Sequence, residues 1–226
     1  GWPGDFDLED ESDWIIWQES YADYILTYAK LAQDLNVDLF CIGTEYRKAV
    51  AKRTKFWKSL IKEVRKVYTG PITYAANWDN YEKVNFWSEL DYIGIDAYFP
   101  LSMDANPKLR ELKTAWKPIE EKLESLSEKH KKPILFTEYG YKSIEYANAG
   151  FWRYDEDTVK TSTKTQDIAY QALFETIWQN EWMAGGFFWK WHLYTRDGSE
   201  IGGEKNRRYT PQGKSSEKII SEWYSK

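Results

Sequence analysis

Two glutamates occupy equivalent places in the sequence, because each directly follows a short apolar segment. Val37-Asp-Leu-Phe-Cys-Ile-Gly-Thr leads to Glu45, and Lys132-Lys-Pro-Ile-Leu-Phe-Thr leads to Glu138. Two carboxyl groups at strand ends are suited to two-carboxylate chemistry, in which one group donates a proton and the other acts as a base or a nucleophile. The two residues are far apart in the chain, so only the tertiary fold can bring them together.

The segments that must position these glutamates alternate between two patterns. Near-continuous apolar runs predict buried strands, and the segments between them show helical periodicity or turn residues. The predicted strands cover residues 37–45, 71–78, 90–100, 134–138 and 182–191. Both glutamates therefore lie at the carboxyl ends of predicted strands.

Helices are predicted between these strands. Ser12 is expected to cap the first helix, which continues to Leu35 with apolar residues at three- and four-residue spacing. Asn106-Pro107 opens another helical region, and Pro118 is predicted to begin a separate second part of it, because proline suits a first helical turn and not an interior. The other predicted helices cover residues 54–68, 81–88, 165–180 and 215–224.

This alternation predicts an α/β fold with a parallel sheet covered by helices, as in a (β/α)8 TIM barrel. The polar and aromatic residues gather where strands end, which is where such barrels carry their active sites. Five strands are three fewer than a full barrel. We therefore expect residues 1–226 to form a single domain that corresponds to strands four to eight, with an N-terminal segment before Gly1 completing the barrel.

Composition excludes several classes of function. The net charge of −5 argues against a nucleic-acid partner, and no apolar run has the length of a membrane span. The sequence has no Cys/His cluster with metal-ligand spacing and no glycine-rich phosphate loop, so neither a metal nor a cofactor is expected. Aromatic residues make up 18% of the chain, with 13 Trp and 17 Tyr, and some of these rings are expected to line a groove for a neutral polar ligand.

Four motifs resemble the strand ends of clan A glycoside hydrolases, and in particular the family 113 β-mannanases. They occur in the order Gly43-Thr-Glu45, Asp91-Tyr-Ile-Gly-Ile-Asp-Ala-Tyr-Phe-Pro100, Phe136-Thr-Glu-Tyr-Gly140 and Phe188-Trp-Lys-Trp191. The resemblance covers the whole chain and is most specific in the segment that contains Glu138. It implies a retaining endo-β-glycosidase that acts on a β-linked polysaccharide, most closely β-1,4-mannan.

The same resemblance implies roles for individual residues. Glu45 would be the acid/base and Glu138 the nucleophile, with Tyr98 as a hydrogen-bond donor to the nucleophile. Trp189 would form the floor of the sugar site, and Trp191 is an alternative for that role. The further candidates for substrate contacts are Trp78, Trp152 and Asn77.

One position departs from the clan pattern. Thr44 precedes the acid/base candidate, where many clan members have an asparagine that binds the sugar 2-hydroxyl. A non-catalytic glycan-binding protein or an inactive barrel relative is therefore the alternative function. A scaffold protein is a third alternative, based only on the abundance of aromatics.

The compartment stays open, although degradation of polysaccharide would favour an extracellular or periplasmic location.

Overall fold

The structure is a computed structural model that describes residues 1–150, 158–193 and 201–225. Within these residues, five strands form one sheet in the order β1-β2-β3-β4-β5. The strands are β1 Phe40–Thr44, β2 Ile72–Asn77, β3 Ile93–Asp96, β4 Ile134–Tyr139 and β5 Met183–Phe188. The pairs β1/β2 and β2/β3 are parallel. The prediction of a parallel α/β sheet with five strands in these segments is confirmed.

The strand ends differ from the predictions by a few residues. β1 stops at Thr44, so Glu45 lies just beyond the strand. β3 stops at Asp96, and β5 stops at Phe188, so Tyr98, Trp189 and Trp191 lie in the segments that follow the strands. Strand pairing ends before the apolar pattern does, because the later residues belong to the loops that leave the sheet.

The helices of the described residues are α1 Glu11–Asp34, α2 Arg47–Lys52, α3 Thr54–Val67, α4 Leu109–His130, α5 Thr163–Thr176 and α6 Ser215–Tyr224. Short 3₁₀ turns cover Pro3–Asp5, Tyr81–Lys83 and Trp87–Glu89. Two predictions about helix starts are wrong. α1 begins at Glu11 with Asp10 as the N-cap residue, so Ser12 lies inside the first turn. α4 is continuous through Pro118, because the helix buries Leu112, Trp116 and Leu123 along one face on both sides of the proline.

The contacts divide the chain into two compact units. The first unit contains Gly1–Asp96 and Leu126–Leu135, and the second contains Ala97–Ser125 and Phe136–Lys226. In the first unit, α1 and α3 pack together and enclose an aromatic core. Trp57 is central to that core, since its ring contacts Tyr74 edge-on and stacks with Phe86. Burial of such large rings is a major source of stability for the unit.

The second unit has its own aromatic core behind β4. Tyr139 is fully buried and contacts Tyr170, Phe174 and Trp178 on and after α5, while Phe174 stacks on Trp223 of α6. α5 and α6 pack together, so this core holds the end of β4 firmly between neighbouring elements. Among the described residues, no helix combines the length and the apolar character that a membrane span requires.

Candidate functional site

Glu45 is presented by an irregular end of β1. The register between β1 and β2 shifts between Cys41 and Thr44, and Glu45 has a left-handed backbone with φ of 57°. Its backbone N–H donates to the Ala75 carbonyl at 2.8 Å, which fixes the irregular segment against β2. A β-bulge changes the direction of the following side chain, and a left-handed non-glycine residue costs of order 1–3 kcal/mol. Such strain is concentrated at functional sites.

The N-terminal loop contacts the Glu45 side chain directly. The indole N–H of Trp2 donates a hydrogen bond to Glu45 Oε2. The guanidinium of Arg47, two residues after Glu45, lies over the Trp2 ring at 4.7 Å from its centroid. Arg47 in turn pairs with Asp5 at 3.2 Å and with Asp79 at 3.0 Å. Glu45 is therefore half-buried at the edge of a small, hydrogen-bonded cluster of the first unit.

Glu138 lies within the last residues of β4, in the second unit. The Tyr98 hydroxyl donates to Glu138 Oε2 at 2.7 Å, so the hydrogen bond that the family resemblance implies is present. The backbone also holds the two segments together, because the N–H of Ala97 donates to the Glu138 carbonyl at 2.7 Å. Tyr98 and Glu138 are thus positioned relative to each other by a main-chain contact as well as by their side chains.

The surroundings of Glu138 change its proton affinity. Burial raises the pKa of the Glu138 carboxyl above its ordinary value, and the hydrogen bond from Tyr98 acts in the opposite direction. The Tyr98 hydroxyl therefore favours the ionised form of a carboxylate whose pKa burial raises. An ionised, half-buried carboxylate with one oxygen held by a donor is suited to act as a nucleophile.

Trp189 and Trp191 follow β5 and both expose their rings, with 41% and 47% of the residue surface accessible. The N–H of Trp189 donates to the Tyr139 carbonyl at 2.7 Å, which holds Trp189 beside the residue that follows Glu138. This close approach depends on Gly140, because a Cβ there would lie 2.2 Å from the Trp189 carbonyl oxygen. Exposed indole rings beside a strand end offer flat apolar faces to a ligand.

A cleft that is partly open to solvent lies beside Tyr98 in the second unit. Tyrosine rings dominate its walls, and Lys142 contributes a cation that lies 5.8 Å from the Tyr209 ring centroid. The lining residues are Tyr98, Phe99, Gly140, Tyr141, Lys142, Ile144, Tyr146, Ala147, Gly150 and Tyr209. The cleft combines aromatic faces with polar groups, which is the usual composition of a small-molecule site.

The remaining predicted site residues lie in different surroundings. Asn77 is the last residue of β2 and is buried, with its side-chain oxygen accepting the N–H of Trp78 at 2.9 Å. Trp78 is half-buried and follows the strand, where its N–H also donates to the Asp96 carbonyl. Trp152 lies outside the described residues. Glu45, Asn77 and Trp78 belong to the first unit, whereas Tyr98, Glu138, Trp189 and Trp191 belong to the second, so their meeting in one site stays a prediction.

Sequence reasoning missed Trp2, Arg47 and Tyr209. Trp2 stands in the Gly/Pro-rich segment Gly1-Trp-Pro-Gly, where an aromatic residue on a stiff loop was a usable signal. Arg47 follows a candidate carboxylate by two residues, and that spacing was also a usable signal. Tyr209 had no comparable signal. Within the described part of the chain, no group of three or more His, Cys, Asp or Glu side chains is arranged to hold a metal ion.

Comparisons with known proteins point to one family of glycoside hydrolases. The sequence profile of Glycoside Hydrolase Family 113 matches residues 4–214. A β-mannanase of this family from Alicyclobacillus acidocaldarius, solved in complex with ManMIm, superimposes with a TM-score of 0.82 at 27% identity, over 99% of this chain and 68% of that one. A second family 113 structure, a β-1,4-mannanase, has a TM-score of 0.83 at 29% identity, over 100% of this chain and 69% of that one.

A more distant structure shares only the fold. The β-D-glucuronidase of Dictyoglomus thermophilum has a TM-score of 0.62 at 17% identity, over 91% of this chain and 35% of that one. A comparison with curated proteins found no significant match.

Proposed function

Because the chain belongs to glycoside hydrolase family 113, we propose that it is a retaining endo-β-glycosidase that cleaves β-1,4-mannan by double displacement. The proposal also takes residues 1–226 as one catalytic domain in which β1 to β5 correspond to strands four to eight of a (β/α)8 barrel. Support for that correspondence comes from the parallel strand order and from the 68% and 69% of the two mannanase chains that match.

The observation that carries the proposal is the hydrogen bond of 2.7 Å from Tyr98 to Glu138 Oε2. It holds one oxygen of the carboxylate, so that Oε1 is the oxygen that attacks the anomeric carbon. Attack forms a glycosyl ester and breaks the glycosidic bond, and in the second step water displaces Glu138 from the same carbon. Two inversions at one carbon return the original anomeric configuration.

Glu45 is the proton donor and acceptor in this proposal. Its acid form protonates the leaving oxygen in the first step, and its carboxylate form takes a proton from the attacking water in the second. A retaining mechanism requires the two carboxyl groups to lie about 5 Å apart in the assembled site. When Glu138 becomes an ester its negative charge disappears, and this lowers the proton affinity of Glu45 in time for its role as a base.

The proposed substrate contacts are tryptophan rings and one amide side chain. Trp189 and Trp191 present exposed rings on which the apolar faces of sugar rings can stack. Trp78 and Trp152 are proposed for outer subsites from their places in the sequence. Asn77 is proposed to contact a sugar through its amide group, since its oxygen is already engaged by the Trp78 N–H. The ligand is an oligo- or polysaccharide.

The test of the proposed function is hydrolysis of β-1,4-mannan by the full-length protein, followed by ¹H NMR during the first minutes. We expect oligosaccharides of mixed length, which indicate endo cleavage, and β-anomers as the first products. α-Anomers would show inversion and contradict the double displacement. Isothermal titration with manno-oligosaccharides separates the alternative, because binding without any product would identify a glycan-binding protein instead of an enzyme.

We expect Tyr98→Phe to shift the acidic limb of the pH profile of kcat/KM upward. The hydroxyl stabilises the ionised form of Glu138, so its loss raises the pKa of a carboxyl group that must be ionised to attack. The variant should therefore lose more activity at acidic pH than at neutral pH. The measurement is kcat/KM on mannan across the acidic range.

Tyr68→Phe is the matched control for this prediction. Tyr68 also donates its hydroxyl to an oxygen, the Val37 carbonyl at 2.6 Å, but in a different part of the molecule. Its loss should change stability without moving the acidic limb. An unchanged limb in Tyr98→Phe, or the same shift in both variants, would contradict the role given to Tyr98.

A further inference from the structure

The contact between Trp2 and Glu45 has a chemical consequence if Glu45 is the acid/base, so the inference rests on the proposed function. An indole N–H is only a donor, and it therefore requires a lone pair on the oxygen that it faces. Glu45 Oε2 provides that lone pair. In the neutral carboxylic acid, the proton is thereby directed away from the side of Oε2 that Trp2 occupies.

From this geometry we propose that Trp2 is a positioning residue that assigns the two oxygens of Glu45 to different tasks. Oε2 accepts the Trp2 N–H throughout the cycle, and Oε1 carries the proton that moves. In the first step, the Oε1–H proton goes to the glycosidic oxygen as the bond from that oxygen to the anomeric carbon breaks. In the second, Oε1 takes a proton from the water whose oxygen bonds to the anomeric carbon.

Trp2 favours the first step through a change in bond strength. A hydrogen bond to a carboxylate is roughly twice as strong as one to a neutral acceptor. As Glu45 gives up its proton, the Trp2 bond becomes charge-assisted and stabilises the developing carboxylate. An interaction that is stronger in the transition state than in the ground state accelerates the chemical step.

The charges around the contact support this role. Arg47 holds the Trp2 ring by a cation–π contact of 4.7 Å, and its positive charge is compensated by Asp5 and Asp79. Lys48 donates to the backbone carbonyl of Asp5 at 3.3 Å. The guanidinium therefore fixes the ring, while its two carboxylate partners offset its positive charge.

The first test needs no substitution of Trp2. In the wild-type protein, the indole ¹⁵N–¹H signal of Trp2 should shift with pH as Glu45 titrates, and in Glu45→Gln this titration should disappear. A Trp2 signal that does not respond to pH, or one that responds equally in Glu45→Gln, overturns the contact itself. This readout is independent of activity, so it separates a failure of the inference from a failure of the proposed function.

The second test is Trp2→Phe, which keeps an aromatic ring for Arg47 and removes the N–H. We expect kcat on mannan to fall on the order of 10- to 100-fold with little change in KM. The alkaline limb of the pH profile should move upward, because the carboxylate loses a donor and the acid form persists to higher pH. The loss should be smaller on a 2,4-dinitrophenyl β-mannobioside, whose leaving group needs no protonation.

Trp14→Phe is the matched control, because Trp14 makes the same two kinds of contact as Trp2 but with other residues. Its indole N–H donates to the Leu8 carbonyl at 2.9 Å, and Arg53 lies 4.6 Å from its ring centroid. This variant should leave the alkaline limb in place. If Trp2→Phe raises KM alone, or gives the same profile as Trp14→Phe, the inference is overturned, and Trp2 is only a binding surface or a structural residue.

Discussion

Glu138→Gln should lower hydrolysis of mannan by about 10⁴-fold or more, which is the scale of loss when an enzyme loses its nucleophile. The amide has nearly the same shape as the carboxylate but cannot form the glycosyl ester. The amide also fits the surroundings of residue 138, since the Tyr98 hydroxyl can still donate to the amide oxygen at the position of Oε2. The expected result is therefore a folded protein that binds manno-oligosaccharides and does not turn them over.

Three measurements define this prediction. Initial rates on mannan give the loss, thermal unfolding shows that the variant is folded, and isothermal titration shows that it binds. Glu175→Gln is a suitable control, because Glu175 forms a partly exposed ion pair with Lys113 at 2.7 Å and such pairs contribute little to stability. A Glu138→Gln protein with near-normal activity would eliminate Glu138 as the nucleophile.

The covalent intermediate offers a direct chemical check of the same residue. A 2-deoxy-2-fluoro-β-mannoside with a good leaving group reacts in the first step and is hydrolysed slowly in the second, because fluorine destabilises the oxocarbenium-like transition states. Mass spectrometry of the digested wild-type protein should then locate the added sugar on the peptide that contains Glu138. A label on any other carboxylate would move the nucleophile to that residue.

The sheet was predictable because its strands are buried on both faces. Ile72–Asn77 is buried at every residue, and the sequence shows the corresponding uninterrupted run of apolar and small residues. Pairing in a parallel sheet also requires helices between the strands, and the helical periodicity between the runs agreed with this. The exact strand ends were less predictable, because apolar residues such as Phe99 stay buried after pairing has ended.

Local rules failed where tertiary packing has the larger effect. A proline inside a helix costs about 3 kcal/mol or more, yet α4 continues through Pro118. Leu112, Trp116 and Leu123 are all fully buried on α4, and burial of each large side chain is worth roughly 1.5–3 kcal/mol. The combined burial exceeds the cost of the proline. The short helix α2 was missed because Arg47–Lys52 is too brief to show periodicity.

The high aromatic content was a weak guide to the rings that could bind a ligand. Trp57, Trp87, Trp116 and Tyr139 are fully buried, so much of the aromatic surplus packs the cores of the two units. The exposed Trp189 and Trp191 are the rings that remain for a ligand. The sequence marked the strand-end tryptophans as candidates, and Trp189 and Trp191 are exposed, but composition alone did not separate the packing rings from the accessible ones.

The candidate site shows the same division between local and tertiary information. Glu45 and Glu138 were found because each follows an apolar strand, and Tyr98 was found through a family motif. Trp2 was not found, because its bond to Glu45 joins residues 43 positions apart. The left-handed backbone at Glu45 was also hidden in the sequence, since glutamate shows no preference for that conformation.

Glu45→Gln should lower kcat/KM on mannan by about 10²- to 10⁴-fold, the usual contribution of general acid–base catalysis. The loss should depend on the leaving group. An aryl β-mannobioside with a strongly acidic phenol leaves without protonation, so its first step should be nearly as fast as in wild type. The glycosyl-enzyme should then accumulate, because water lacks the base that activates it in the second step.

This dependence separates loss of an acid/base from simple damage to the site. Sodium azide is an anionic nucleophile that needs no base, so it should restore turnover of the aryl substrate in Glu45→Gln and yield a β-mannobiosyl azide. Glu63→Gln is the matched control in the same unit, because Glu63 forms an exposed ion pair with Lys66 at 2.7 Å. A Glu45→Gln protein that loses equal activity on mannan and on the aryl substrate, without azide rescue, would show that Glu45 is not the acid/base.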